Sequence, residues 1–365
     1  MQIPIPAEDD RDARLTAHHA VAAALNDCGE RELGRLVESA TPIGTGIGGA
    51  VSRLEVAGTP VFVKRVPLTE LELLPEHRGS TADLFALPAF CHYGIGGPGF
   101  GAWRELAVHR RTTDWVLAGQ HEGFPLLHHA RVLPGPVQPL PEELADIERA
   151  VAYWDGRAEV RHRIEALARA SASVVLFLEY LPQTLHSWLG RQLRAGERAA
   201  DRACVMVERE LTATAAFLRA RGLLHFDAHF ANILTDGRRL YFADYGLALA
   251  DDFELSQEEA EFVDRHRSYD HCYALTHLVH WLLTELHGGD AAHRRALLRA
   301  YTEGTRPAAA PEVIPEAAEA ILLRHAPLAL VMTEFYRQLQ RESRRTPYPV
   351  AELRRVLGEG GPLAS

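Results

Sequence analysis

Lysine is almost absent from this sequence, because 38 of its 39 basic residues are arginine and only Lys64 is lysine. Cysteine is also scarce, and the four cysteines are far apart and form no pair motif, which excludes a disulfide framework. No run approaches the roughly 18 apolar residues of a membrane-spanning helix. The first residues are acidic and lack an apolar core, so we expect no secretory signal. These absences predict a protein of the reducing cytoplasm without a membrane span.

Positive charge is in deficit as well. The formal net charge of -10 argues against a nucleic-acid-binding protein, whose surface would be basic. With 365 residues, of which 47% are hydrophobic and 24% are charged, the composition is that of an ordinary globular protein. The length is sufficient for a large core divided between two lobes. Composition therefore sets aside nucleic acids and membranes as partners and does not indicate an oligomeric state.

A stretch reading HFDAHFANILTDGRRLYFADYG places polar side chains at fixed offsets. Asp227, His229 and Asn232 come first, and Asp244 follows a short turn and an apolar run. Phosphoryl transfer from ATP needs such groups. One carboxylate orients and deprotonates an acceptor hydroxyl, while an amide oxygen and a second carboxylate hold magnesium on the phosphates. The turn 235–237 between two apolar runs predicts a hairpin that brings these groups together.

A glycine-rich segment reading GTGIGGAV fits the pattern G-x-G-x-x-G-x-V, with Gly44, Gly46, Gly49 and Val51 at the required places. Glycines let backbone N–H groups approach phosphates, and the valine can cover an adenine. A predicted hairpin and the strand VFVK follow, and this strand carries Lys64. A compact ammonium can approach phosphate oxygens as a point charge, where a planar guanidinium needs a wider space. The position of the one lysine therefore indicates a phosphate site.

These motifs resemble those of the protein-kinase-like superfamily. The pattern H-x-D-x-H-x-x-N is closest to the aminoglycoside and choline phosphotransferase branch, and DYG stands where most members carry DFG. The resemblance implies an α+β, bilobal fold with a small antiparallel-sheet N-lobe and a mainly helical C-lobe. We expect a helical N-terminal extension over 1–40, an N-lobe over 41–181 with a helical insertion at about 136–171, and a C-lobe over 182–365.

The resemblance also implies a role for each motif residue. ATP would lie under the glycine-rich loop, with Mg²⁺ bridging its phosphates and Asp227 taking the acceptor proton late in a loose transition state. His229 would contact the γ-phosphate or brace the loop, and both readings stay open. The expected catalytic residues are Asp227 and His229, the ATP contacts are Gly44, Gly46, Gly49, Val51, Lys64, Glu105, Glu179 and Leu181, and the metal ligands are Asn232 and Asp244.

In the kinase-like fold a glutamate of this helix pairs with the strand lysine, so the resemblance implies that Glu105, in the first turn of the predicted helix 103–117, is the partner of Lys64. An acidic residue near a helix N-terminus is equally typical of the macrodipole alone. Glu70, Glu72 and Glu76 are weaker candidates, since Pro75 ends their segment. Other expected helices are 15–36, 142–153, 160–170, 202–221, 317–343 and 350–357, and the expected strands are 124–133 and 173–181.

The acceptor of the phosphate stays open. The glycine-rich loop and the VFVK strand look like those of protein kinases, whereas H-x-D-x-H-x-x-N and the absence of an A-P-E motif look like small-molecule kinases. We favour a hydroxyl of a small molecule, or of Ser or Thr in a biosynthetic peptide, over a signalling Ser/Thr kinase. A nucleotide-binding pseudokinase or scaffold is a further alternative.

Four other features carry weaker hypotheses. A second G-x-G-x-x-G at 94–99 would suit a dinucleotide site only directly after a buried strand, and a loop that leads into the next helix is the simpler interpretation. His277 and His280 could share a zinc ion. The acidic segment 251–264 is typical of a solvated helical face or attracts a basic acceptor. Asp270 resembles the aspartate that holds the catalytic loop's backbone.

Overall fold

The computed structural model describes residues 8–46, 49–94, 96–305 and 314–358. The chain is α+β and divides into two units. The first unit comprises Met1–Leu181 together with Asp244–Gly246, and the second comprises Pro182–Ala243 and Leu247–Ser365. In the described parts of the chain, no helix is both long and apolar enough to cross a bilayer.

An antiparallel sheet of five strands forms the framework of the first unit. The strands are β1 (Thr41–Gly46), β2 (Gly49–Val56), β3 (Thr59–Leu68), β4 (Leu127–Pro134) and β5 (Ala172–Glu179). Their order in the sheet is β1-β2-β3-β5-β4. The predicted strand, glycine loop, strand, turn and strand are confirmed for the described residues, although Ile47 and Gly48 of the loop lie outside them.

Strand β3 buries both of its faces, which explains its nearly continuous apolar sequence. Val61 and Val63 join a core cluster with the N-terminal helices. Val66 and Leu68 join the opposite cluster, against the helix that follows the second glycine motif. Because side chains alternate along a strand, Lys64 has the same parity as Val66 and points to the helix side.

Two helices, α1 (Glu8–Asn26) and α2 (Glu30–Ser39), precede the sheet. The expected single helix, 15–36, is therefore wrong in its extent. Gly29 begins α2 with extended backbone angles, and its N–H donates to the Glu32 carboxylate, which is one of the two hydrogen bonds of a capping box. This hydrogen bond starts a new helix where periodicity alone suggested a continuous one.

The segment between β3 and β4 contains α3 (Glu70–Leu73) and α4 (Ala102–Leu117). The predicted helix 103–117 is confirmed as α4. A short 3-10 helix, Ala89–Tyr93, precedes the second glycine motif, so the buried strand that a dinucleotide site requires is not present in this described stretch. Ile95 of that motif lies outside the described residues.

The insertion between β4 and β5 is helical, as expected. The predicted helix 142–153 is interrupted at Asp146, whose carboxylate accepts the Arg149 N–H at 3.0 Å and begins a second helix. The structure has α5 (Glu142–Ala145), α6 (Ile147–Tyr153) and α7 (Ala158–Leu167) in this region.

The second unit is mainly helical among its described residues. The predicted helices 202–221, 317–343 and 350–357 are confirmed, and much of the predicted loop 306–315 lies outside the described residues. Its helices are α8 (Leu185–Arg194), α9 (Glu197–Ala220), α10 (Gln257–Arg265), α11 (Tyr269–His287), α12 (Ala291–Thr302), α13 (Glu316–Arg341) and α14 (Val350–Leu357). Its short strands are β6 (Gln183–Thr184), β7 (Leu223–Leu224), β8 (Ile233–Thr235), β9 (Leu240–Phe242) and β10 (Leu249–Ala250).

Candidate functional site

Lys64 lies at the centre of a charged cluster in the first unit. Its Nζ donates to Glu105 Oε1 at 2.6 Å and to Asp244 Oδ1 at 2.9 Å. The side chains of Lys64 and Glu105 are 5% and 1% exposed, whereas that of Asp244 is 38% exposed. Strand β3, helix α4 and the DYG segment thus each supply one charged group, and the expected pairing of Lys64 with Glu105 is present.

The protonation state of Lys64 follows from this cluster. Burial alone would lower the pKa of its ammonium, but the carboxylates of Asp244 and Glu105 outweigh burial and hold that pKa above its ordinary value. Lys64 is therefore a permanent cation at neutral pH, with one buried and one accessible carboxylate beside it.

The other acidic candidates before α4 have different surroundings. Glu72 is buried, accepts the N–H and hydroxyl of Thr69, and pairs with Arg163 at 2.9 Å. Arg163 and the Thr69 hydrogen bonds outweigh burial and lower the pKa of the Glu72 carboxyl. Glu72 therefore stabilises the start of α3, and Glu105 alone among the four candidates contacts Lys64.

The glycine-rich hairpin packs directly on the lysine strand. Val51 of β2 is the register partner of Lys64, and Gly46 pairs with Gly49 across the hairpin. Gly49 has a φ of +116°, and a Cβ there would overlap the carbonyl oxygen of Arg65. Gly49 is thus required for close packing on β3, in addition to the phosphate role expected of it.

In the second unit, the loop after β7 holds the other predicted residues. Asn232 Nδ2 donates to Asp227 Oδ2 at 2.9 Å and to the Asp227 carbonyl oxygen at 3.2 Å. His229 Nδ1 accepts the N–H of Ala231 at 3.2 Å, and its Nε2 lies 3.6 Å from Asp227 Oδ1. The loop therefore brings together the three motif residues and fixes the orientation of the Asp227 carboxylate.

Asp270 holds the start of this loop, as the sequence predicts. Its carboxylate oxygens accept the N–H groups of His225 at 2.7 Å and Phe226 at 2.9 Å. Phe226 has a φ of +63°, a conformation that is uncommon for a bulky residue and costs on the order of 1–3 kcal/mol. Burial raises the pKa of Asp270 to about 6, against the lowering effect of the two backbone donors.

The predicted hairpin joins the two motifs. Strands β8 and β9 pair antiparallel, and the Asp236 carboxylate accepts the N–H groups of Arg238 and Arg239 in the turn. The Ala243 N–H donates to the Asn232 carbonyl oxygen at 3.0 Å, immediately before Asp244. Asp244 itself has a φ of +65°. Both motifs therefore contain a non-glycine residue in the left-handed region, where strain is commonly associated with function.

The two expected adenine contacts, Glu179 and Leu181, lie at and just after the end of β5. The Glu179 N–H donates to the Leu126 carbonyl oxygen at 2.8 Å, so that this N–H is already engaged. The Glu179 carboxylate accepts a bidentate pair of hydrogen bonds from Arg14 of α1, at 2.8 and 2.7 Å. The sequence gives no signal for this contact, because Arg14 is one of 38 arginines and lies 165 positions away.

A second group that sequence reasoning missed surrounds Tyr245. This residue is fully buried, and its ring lies edge-on to the His109 ring at a centroid distance of 4.7 Å. His109 is also fully buried, with its Nε2 3.8 Å from Glu105 Oε1. Burial raises the pKa of Tyr245 above its ordinary value. The four-residue spacing of Glu105 and His109 could have predicted their contact, because residues four apart lie on the same face of a helix.

The hypotheses of a zinc site and of an acidic segment that attracts a basic acceptor find little support. In the described parts of the chain, no three or more His, Cys, Asp or Glu residues are grouped to hold a metal ion. His280 Nε2 lies 2.7 Å from the Thr333 hydroxyl, and burial lowers the pKa of His277 to about 4. In the acidic segment, Asp251 pairs with Arg267, and Glu259 caps α10, so part of this segment has a structural role.

Comparison of the chain with protein-family models and with curated proteins finds no match.

Proposed function

We propose that this protein is an ATP-dependent phosphotransferase with a protein-kinase-like fold, which transfers the γ-phosphate of ATP to a hydroxyl group. The observation that carries the proposal is the placement of Lys64 between Glu105 and Asp244, at 2.6 and 2.9 Å. Three distant segments converge on one buried ammonium, and an ammonium with an accessible carboxylate suits a metal-bound polyphosphate. The oriented pair of Asp227 and Asn232 supports the same chemistry.

The residues fit magnesium as the associated ion. Mg²⁺ prefers carboxylate and carbonyl oxygens and keeps several waters, so one or two protein ligands are sufficient. Asp244 offers a carboxylate that is 38% exposed, and Asn232 has an amide oxygen. When bound, the ion would neutralise charge on the phosphates. We assign Asn232 and Asp244 as its ligands, and Lys64 as the cation for the phosphates.

Asp227 is the proposed acceptor of the hydroxyl proton. The amide of Asn232 fixes one of its carboxylate oxygens at 2.9 Å. Because His229 Nδ1 accepts the Ala231 N–H, the proton of a neutral imidazole lies on Nε2, which faces Asp227 at 3.6 Å. This arrangement supports a bracing role for His229. Proton transfer to a correctly oriented base typically contributes about 10²–10⁴ in rate.

The acceptor class is proposed from the motif pattern. A hydroxyl of a small molecule, or of Ser or Thr in a biosynthetic peptide, fits H-x-D-x-H-x-x-N better than the substrate of a broad signalling kinase. Signalling activity towards Ser or Thr and nucleotide binding without turnover are the competing functions, and the experiment below separates turnover from binding.

The test measures ADP release from ATP and magnesium, together with nucleotide binding, in the wild type and in Asp227→Ala. We expect Asp227→Ala to lower turnover by at least about 100-fold while nucleotide binding persists. Asp264→Ala is the matched control, because this aspartate is 75% exposed and pairs only locally with Arg267. Binding of ATP without turnover in the wild type would indicate a pseudokinase, and absence of nucleotide binding would refute the proposal.

A further inference from the structure

A cavity of about 230 Å³ lies in the first unit, at one end of the inner strands of the sheet that carries Lys64. Its floor includes Arg65 of β3 and Ser173 of β5. The helical insertion covers it through the segment 138–144 and helix α7. The resemblance to kinases gives this insertion no role, yet the insertion provides a large part of the walls.

Most of the wall is apolar. Leu140, Leu144 and Leu167 line the cavity, and Pro139 and Pro141 stiffen the covering segment. Leu144 is 1% exposed, so the wall belongs to the folded interior. The volume is somewhat below the roughly 300–1,000 Å³ of sites for drug-sized ligands, which limits an occupant to a small molecule.

Arg65 is the polar feature of this cavity. Its side chain is half-buried, and its Nε is fully buried without a hydrogen-bond partner. Among the described residues, no carboxylate lies within ion-pair distance of Arg65. Gly135 makes room for it, because a Cβ at that position would overlap Arg65 Nη2. A buried N–H group without an acceptor is costly, and an anionic ligand that accepts from the Arg65 Nε would remove that cost.

A second arginine, Arg163, also lines the cavity and has an unused donor. Arg163 is 3% exposed, and its Nη1 donates to Glu72 at 2.9 Å, but its buried Nε has no partner. Of the acids that line the cavity, Glu105 is already paired with Lys64, and Glu142 is exposed to water, which screens its charge. The cavity therefore has two buried N–H donors, the Nε groups of Arg65 and Arg163, that lack acceptors.

We infer that this cavity binds a small amphiphilic oxyanion, a carboxylate or phosphate ester carrying a short apolar chain or ring. The oxyanion would accept hydrogen bonds from Arg65, and the Nε of Arg163 offers a further donor. The apolar part would pack against Leu140, Leu144 and Leu167. The cavity also includes Gly49 and Glu105 of the proposed ATP site, but the inference does not require phosphoryl transfer, so its test contains no nucleotide.

The test titrates the full-length protein with hexanoate, hexyl phosphate and 1-hexanol by calorimetry. We expect one site for the two anions and at least tenfold weaker binding of the alcohol. Arg65→Met should weaken both anions at least tenfold and leave the alcohol unchanged. Arg131→Met is the matched control, because Arg131 is an exposed arginine of β4 that does not line this cavity, and it should bind like the wild type.

Two further measurements locate the site. Leu167→Trp fills the cavity while it keeps Arg65, and it should weaken all three probes. Hexanoate should slow amide hydrogen exchange in the segment 138–144. If the alcohol binds as tightly as hexanoate, if Arg65→Met binds the anions normally, or if no probe binds at millimolar concentration, the inference is wrong. Tighter binding of hexanoate or of hexyl phosphate identifies the preferred oxyanion, and both results support the site.

Discussion

Lys64 shows why a single position in an arginine-rich chain requires an ammonium. Its Nζ lies 2.6 and 2.9 Å from two carboxylates that come from different elements. A planar guanidinium presents its donors in a rigid fork and needs more room than a point charge. Because the Lys64 side chain is only 5% exposed, an arginine there would have to displace α4 or the segment after Ala243.

We expect Lys64→Met to destabilise the protein by about 3–5 kcal/mol, because it leaves the buried Glu105 carboxylate without its cation. The double variant Lys64→Met, Glu105→Gln removes both charges and should recover part of this loss. Urea unfolding of the wild type, the two single variants and the double variant gives the coupling energy. Additive effects of the two substitutions would contradict a direct buried pair.

The pairing of Lys64 with Glu105 was predicted because the resemblance to the kinase-like fold implies a contact between the strand lysine and a glutamate of the following helix, and the structure contains this contact. The sequence does not predict the contacts of Arg14 or the missing partner of Arg65, because both depend on which residues the fold brings next to them. Arg14 meets Glu179 from a distant helix, whereas Arg65 follows Lys64 directly and has no described anionic partner. In a chain with 38 arginines, residue type alone cannot separate these cases.

At the scale of elements, α1 is attached to the end of β5 by one side chain. Arg14 contacts both Glu179 oxygens, one Glu122 oxygen and the carbonyl oxygens of Glu122 and Phe124. We expect Arg14→Ala to destabilise the protein by about 1–3 kcal/mol, since Glu179 keeps a largely buried charge without its partner. Urea unfolding measures the loss, and hydrogen exchange should show faster opening of α1.

The matched control for α1 is Arg11→Ala. Arg11 also contacts Glu122, but its side chain is 36% exposed, and partly exposed ion pairs contribute about 0–1 kcal/mol. It should therefore change stability by less than about 1 kcal/mol. Equal effects of the two substitutions would show that the contacts to Glu179 and Phe124 do not anchor α1.

Asp270 of α11 holds the start of the loop that carries Asp227, because it accepts two backbone N–H groups of that loop. In Asp270→Asn, the side chain keeps one acceptor oxygen, so the N–H of His225 or of Phe226 loses its partner. We therefore expect faster amide exchange at one or both of these positions. Unchanged exchange at both amides would exclude the proposed support.

The pH dependence of this variant is a separate prediction. The folded pKa of Asp270, about 6, lies above its ordinary value of 3.8. The folded state therefore holds the proton longer than the unfolded state, and the contribution of Asp270 to stability declines as pH rises from about 4 to 6. The stability of the wild type relative to Asp270→Asn should fall by about 2 kcal/mol between pH 4 and pH 6. Urea unfolding at pH 4, 5 and 6 measures the difference in unfolding free energy between the two proteins. A difference that does not change with pH would contradict a raised pKa of Asp270.

Element boundaries show where local sequence rules end. The hairpin β8–β9 and helix α4 follow from apolar patterns and turn residues, and both were predicted. The breaks at Gly29 and Asp146 were not, because a cap is decided by one hydrogen bond that competes with helix propagation. The cavity under the insertion could not be predicted, since it depends on packing between segments that are far apart in sequence.

Across the whole molecule, buried histidines dominate the expected response to acid. Burial lowers the pKa of His128 and His266 to about 3 and of His271 and His277 to about 4. Each stays neutral in the folded state and is protonated in the unfolded state below its ordinary value of 6.5. The unfolded state then binds more protons, so stability is fully present above about pH 6.5 and falls as pH drops towards 4.

Each such histidine contributes a slope of up to about 1.4 kcal/mol per pH unit, whereas Asp270 acts in the opposite direction below pH 6. Four contributions outweigh one, and a typical stability of about 5–15 kcal/mol would be exhausted within a few pH units. We therefore expect acid unfolding to begin between pH 6 and 4.

The variant His266→Phe keeps an aromatic ring stacked on Phe262. It should reduce the pH dependence of the unfolding free energy by the equivalent of about one proton. Urea unfolding from pH 7 to 4.5 tests this, and a stability that is independent of pH over that range would contradict neutral, buried histidines.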